Sequence, residues 1–101
     1  MAKGYWIGHV DVSDPEGYKA YVQANAAAFG KYGARFLVRG GQAEHVEGGA
    51  RARHVVLEFD SYEQALACYR SPEYQAAMKL RLPVSIGDIV VVEGYDGPQP
   101  G

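Results

Sequence analysis

The order in which two periodicities alternate along this chain limits its fold more than any other feature. Stretches with the two-residue period of a β-strand, or short continuous apolar runs, occur at four places, and helical spacing fills two regions between them. The first strand is expected over Tyr5–Val12, rich in aromatic and branched residues. Ser13-Asp14-Pro15-Glu16 then reads as a helix start. Either Asp14 caps with Pro15 in the first helical position, or Ser13 caps with Glu16 closing a capping box. Tyr18, Tyr21, Val22, Ala26 and Phe29 follow as one buried stripe, and Gly30 and Gly33 flank its end.

A second strand is expected over Arg35–Arg39, stopped by Gly40-Gly41. The stretch from Gln42 to Ala52 is irregular, with a turn at Gly48-Gly49 and a short extra strand at Glu44–Val46. The third strand is Arg53–Asp60. Ser61 and Gln64 form a second capping box, opening a helix with Tyr62, Ala65, Leu66 and Tyr69 inward. Ser71-Pro72 breaks that helix and starts another, in which Tyr74, Ala77, Met78 and Arg81 share a face and which Pro83 ends. The last strand is expected over Asp88–Tyr95, and residues 97–101 as a disordered tail.

Elements in the order βαββαβ predict a single α+β domain over residues 1–96, a ferredoxin-like sandwich with an antiparallel sheet and both helical regions on one face. The pleat sorts each strand into two faces. Val55, Leu57 and Phe59 on the third strand, Phe36 and Val38 on the second, and Trp6, Val10 and Val12 on the first suit the helix side. The opposite face then carries His54, Val56 and Glu58, with Arg35, Leu37 and Arg39, and with Tyr5, Ile7, His9 and Asp11. The last strand is apolar on both sides and its orientation stays open. A face that mixes Ile7, Leu37, Val56 and valines among charges predicts pairing with a second copy to close a barrel-like dimer. The alternative is a monomer with a half-polar sheet face, which antiparallel sheets tolerate.

Composition narrows the partners. The chain has 101 residues, 48% of them hydrophobic and 22% charged, which is a globular profile. Ten basic against 12 acidic side chains, with no basic cluster, speak against nucleic acid and anionic membranes. One cysteine, Cys68, cannot close an internal disulfide, and the N-terminus lacks a signal-peptide core, so a cytoplasmic location is expected.

Gly4-Tyr5-Trp6, Asp14-Pro15-Glu16 with Tyr18 and Tyr21, Phe36-Leu37-Val38-Arg39-Gly40-Gly41, Glu47-Gly48, Glu58-Phe59, Ser71-Pro72-Glu73-Tyr74 and Arg81 together resemble the family catalogued as domain of unknown function 1330. The resemblance runs in order along nearly the whole chain. It implies the dimeric α+β barrel superfamily, which includes cofactor-free monooxygenases, small-molecule isomerases and haem-handling enzymes, and it implies no particular activity.

The sharpest candidate cluster is His9, Arg39 and Glu58, with Arg35 and His54 nearby. With the third strand between the first and second, and the central pair taken as parallel, His9 and Glu58 become neighbours. His9 would carry a proton and Glu58 would tune it, while Arg39 held an anionic group. The competing reading is an ion-pair network at the dimer interface. Arg81 could clamp a carboxylate at the pocket mouth, or snorkel past its helix end. Tyr74 and Tyr5 could offer hydroxyls to a ligand, although a structural role explains them better.

Metal binding finds no support in the spacings. His54 and Glu58 stand ~13 Å apart on a strand at ~3.3 Å per residue, and His45 with Glu47 lacks a third ligand. No nicotinamide, flavin or nucleotide fingerprint appears, so no cofactor is expected. The expected function is a homodimer with a pocket between sheet and helices that binds or transforms a small, anionic organic molecule without a tightly bound cofactor. The alternatives are a non-catalytic ligand-binding or regulatory module and a plain dimerisation domain.

Overall fold

A computed structural model describes residues 2–101. Strands β1 (Gly4–Val12), β2 (Arg35–Arg39), β3 (Arg53–Phe59) and β4 (Ser85–Glu93) form one antiparallel sheet in the order β2-β3-β1-β4. Helices α1 (Pro15–Lys31), α2 (Tyr62–Arg70) and α3 (Pro72–Arg81) connect them on one face. The architecture is the expected α+β sandwich, with the second helical region split in two by Ser71-Pro72.

Each helix begins where its local chemistry dictates. Asp14 caps α1, accepting from the Gly17 N–H at 3.2 Å, with Pro15 in the first turn, so the Asp14 alternative holds over Ser13. Ser61 accepts from the Gln64 N–H at 3.1 Å and starts α2. The reciprocal half of that capping box is missing, because the Gln64 side chain donates instead to the Tyr32 carbonyl at 2.6 Å. Ser71 both ends α2, donating to the Cys68 carbonyl at 2.7 Å, and caps α3, accepting from the Tyr74 N–H at 3.1 Å.

The core lies between the sheet and the helices. Trp6 is its centre: its indole N–H donates to the buried Ala65 carbonyl at 2.8 Å, and its ring lies edge-on to Phe29, Tyr69 and Tyr74. Leu57 and Phe59 of β3 and Val10 of β1 are buried beside it, as their alternation predicts.

Four expectations need correction. The buried stripe of α1 includes Asn25 and Ala28, whereas Ala26 is exposed, so the stripe runs one residue out of phase with the apolar pattern at that turn. Residues 44–46 form no strand. Strand β4 begins at Ser85, because Leu82–Val84 make one 3₁₀ turn around Pro83 and the chain extends immediately after it. The central pair β1–β3 is antiparallel, because a helical crossover makes β1 and β2 parallel and the return through β3 reverses the direction.

The register orients β4. Ser85, Gly87, Ile89 and Val91 sit opposite Val12, Val10, Gly8 and Trp6 and so face the helices. Ile86, Asp88, Val90 and Val92 face outward with Ile7, His9, His54 and Val56. Among the described residues no helix is long and apolar enough to cross a membrane.

Candidate functional site

A β-bulge decides what the helix side of the sheet can do. Phe36 pairs with Leu57, yet Val38 pairs with Val56 and Arg39 with Val55, so Leu37 is an extra residue on β2. Past the bulge every side chain changes face. Val38, expected inward, joins Val56 on the outer face, and Arg39, expected outward, turns under the helices.

Arg39 thereby lines a cavity between the sheet and α1. Its floor is built in cross-strand rows: Arg39, Val55, Gly8 and Ile89 in one, Arg53 and Val10 in the next, Phe36, Leu57 and Trp6 on the other side. Tyr18, Tyr21, Val22, Asn25 and Phe29 of α1 form the roof, and Arg81 closes one end. Gly8 leaves the middle of the floor bare. A Cβ there would meet only Ile89 at 3.7 Å and the Val55 carbonyl at 3.9 Å. The space is narrow: about 40 Å³ admits the centres of water-sized molecules, and the gaps around its lining atoms, open solvent included, sum to about 510 Å³.

Three arginines line this cavity, Arg39, Arg53 and Arg81, and no acidic residue does. Arg39 stacks on Phe36, its Cζ 4.1 Å from the ring centroid. Arg53 lies 5.7 Å from the Tyr18 centroid, and Arg81 5.7 Å from that of Tyr21. Arg81 is only 5% exposed. The Nε atoms of Arg53 and Arg81 are buried without a hydrogen-bond partner, a state that ordinarily costs free energy unless something supplies an acceptor. The nearby acids are engaged elsewhere: Asp11 and Asp88 bond Arg51, Glu58 bonds Arg35, and Glu73 bonds Lys31.

Tyr74 is fully buried behind the cavity wall, and its hydroxyl meets that of Tyr21 at 2.9 Å. Burial raises the ionisation of both phenols above the ordinary tyrosine value, so both remain neutral donors at physiological pH. Tyr74 thus positions Tyr21, which faces the cavity.

The expected trio does not assemble. Arg39 lies on the helix side, while His9 and Glu58 lie on the outer face. They are also displaced along the sheet, because in the antiparallel pairing His9 faces His54 and Glu58 faces Tyr5. Tyr5 donates to Glu58 at 3.0 Å, and Arg35 bonds the same carboxylate at 3.0 Å. The Tyr5 hydroxyl first, and then Arg35, hold the Glu58 carboxyl below the usual carboxylate range. His9 instead meets His54, Nδ1 to Nδ1 at 2.8 Å, and His54 meets His45, Nε2 to Nε2 at 3.2 Å. All three histidines of the chain therefore lie in one row on the outer face.

Sequence reading missed Arg53, Gly8 and Asn25. Signals existed for all three: Arg53 is in phase with Val55 and Leu57, Gly8 interrupts the inward row Trp6–Val10, and Asn25 falls a turn from Tyr21 and Phe29.

No curated protein matches the chain. Solved structures share its fold. RPA0582, a protein of unknown function from Rhodopseudomonas palustris, superposes with a TM-score of 0.70 at 16% identity, over 95% of this chain and 85% of that one. SnoaB, a cofactor-independent oxygenase from Streptomyces nogalater, gives 0.64 at 10% identity over the whole of both chains. An ethyl tert-butyl ether D family protein from Bacillus halodurans gives 0.58 at 14% identity, over 94% of this chain and all of the other. At such identities the likeness is one of fold, that of the dimeric α+β barrels. Residues 3–95 match the family described as Domain of unknown function (DUF1330), and the chain belongs to that family.

Proposed function

We propose that the cavity between the sheet and α1 binds a small organic anion. The observation that carries this reading is the lining itself: three arginines and no acid, set in an otherwise apolar and aromatic wall. Like charges so placed repel one another and lose hydration, and a bound carboxylate would relieve both costs. The cavity wall offers no histidine or carboxylate as a general base, so binding is a better-supported role for it than proton abstraction. SnoaB has the same fold as a cofactor-independent oxygenase, which supports cofactor-free oxidation only as chemistry that such a scaffold tolerates.

The chain would act as a homodimer joined through its outer sheet face. The fold family typically pairs, and Ile86, Val90 and Val38 are 64%, 57% and 41% exposed on that face. Charges of both signs flank them, Arg35 with Glu58 and Arg51 with Asp88, as a surface that meets its own copy requires. Any role for His9 as a proton carrier would then be exercised inside the barrel, along the row His9–His54–His45, and separately from the anion cavity.

The test is thermal denaturation with a panel of small carboxylates. A dose-dependent rise in melting temperature that Arg39→Ala removes supports the reading. No response to any carboxylate refutes it.

A further inference from the structure

The cations of the cavity are not gathered at one point. The guanidinium of Arg53 fills the space above Gly40, at the end of β2, where any Cβ would collide with it. Gly40 adopts a φ of +66°, which disfavours a residue with a side chain there. Arg39 stacks on Phe36 of the same strand. Arg81 comes from the far side. Its Nη1 lies 3.5 Å from the position of a Cβ on Gly87, which belongs to β4. Strands β2 and β4 are the two edges of the sheet. Three strand spacings of ~4.8 Å separate them, roughly 14 Å.

Between these ends the cavity is lined by aromatic rings set at angles to one another and by aliphatic side chains of the floor. Tyr18, Tyr21, Phe29 and Phe36 lie above and beside a floor left open at Gly8. Rings so disposed offer edge and face contacts to an aromatic, and therefore planar, body. Taking a charge-assisted contact of ~2.8 Å from each end leaves room for about one ring between two acidic groups.

The charges ask for two anionic groups. A monoanion seated by Arg39 and Arg53 would leave Arg81 buried with its Nε still unpartnered, and one seated by Arg81 would leave Arg53 in the same state. We propose that the natural ligand is a planar, two-ended acid, one group held by Arg39 and Arg53 at the β2 edge and the other by Arg81, with the Tyr21 hydroxyl beside it. This rests on the anion-cavity reading above and adds the number and spacing of the charges.

Isothermal titration of the intact protein with benzoate and the 1,2-, 1,3- and 1,4-benzenedicarboxylates tests it. The 1,4- or 1,3-isomer should bind at least tenfold more tightly than benzoate. The 1,2-isomer should gain little, because adjacent carboxylates cannot reach both ends. Arg81→Gln should reduce the favoured dicarboxylate to the level of benzoate, and Arg81→Lys, which keeps the charge, should fall between. Gly8→Val, filling the floor where a Cβ makes only ordinary contacts, should abolish every response with the fold retained by circular dichroism. Equal affinities for benzoate and all three dicarboxylates would overturn the two-ended site and leave the anion cavity standing. Binding by none of the four would overturn both. A preference for a dicarboxylate that survives Arg81→Gln would overturn the assignment of the second end.

Discussion

Replacing Arg81 by methionine should make the unliganded protein more stable and less able to respond to an anion. Arg81 is 5% exposed, its Nε is unpartnered, and no acid shares its cavity. Leaving a buried donor unsatisfied costs ~1–3 kcal/mol. The guanidinium recovers part of this from the Tyr74 hydroxyl beside it and from the Tyr21 ring, at 5.7 Å from the centroid, together about 0.5–2 kcal/mol. Methionine follows the aliphatic stem of arginine closely enough that little packing is lost. The balance favours Arg81→Met by about 1 kcal/mol. For a domain of this size that raises the melting temperature by ~4–8 °C.

Differential scanning calorimetry without and with a bound dicarboxylate measures both halves. Ligand at one hundred times its dissociation constant stabilises the native protein by about 2.7 kcal/mol. The parent should therefore overtake the variant in saturating ligand, so that the order of the two melting temperatures inverts between the two conditions. A variant that melts several degrees below the unliganded parent would refute the reasoning. It would mean that the guanidinium is satisfied by its own surroundings and that Arg81 belongs to the core.

Val90→Lys places a charge amid the exposed apolar residues of the outer face, and should halve the mass seen by sedimentation while leaving the far-ultraviolet spectrum unchanged; a dimer that persists refutes the pairing face. Burial pushes the Cys68 thiol up to about 12, so the native protein should not react with a thiol-specific disulfide reagent at pH 8, whereas the denatured chain should release one equivalent. The Glu58 carboxyl is held low in the folded state by Tyr5 and Arg35, so its contribution is complete above the unfolded-state value near ~4.3 and disappears as pH falls through the folded value. Urea titrations should accordingly show Glu58→Gln less stable than the parent at pH 7 and equal to it once both are fully protonated; a gap that persists undiminished to pH ~2 refutes the assignment.

What could be read in the sequence was what depends on near neighbours. The caps at Asp14, Ser61 and Ser71 each accept from an N–H three residues on, so four residues contain the whole signal. The inward faces of β1 and β3 followed from plain alternation. The errors came where a distant contact overrides the local pattern. Asn25 replaces Ala26 in the buried stripe because the cavity and Tyr21 lie on its side of α1. Glu44–Val46 has β-like composition, but no neighbouring strand pairs with it. His9 and Glu58 are neighbours only in a parallel central pair, and β1 and β3 run antiparallel.

The fate of Arg39 shows why the candidate site was harder to read than the fold. Fold class depends on the order of elements and survives one extra residue in an edge strand. A site depends on the face to which each side chain belongs, and a single bulge reverses that. Nothing in Phe36-Leu37-Val38-Arg39 marks Leu37 as extra, since each of the four suits a strand. Its consequence is paired. The shift that carries Arg39 under the helices carries Val38 outward, beside Val56 on the face turned away from them. The cavity gains its third guanidinium and the outer face gains an apolar side chain from the same displaced residue. The two features are therefore linked by geometry, although they lie on opposite sides of the sheet. A β2 strand without the bulge would return Arg39 to the outer face opposite His54 and in the row of His9, and would leave Arg53 as the only cation at the β2 edge of the cavity.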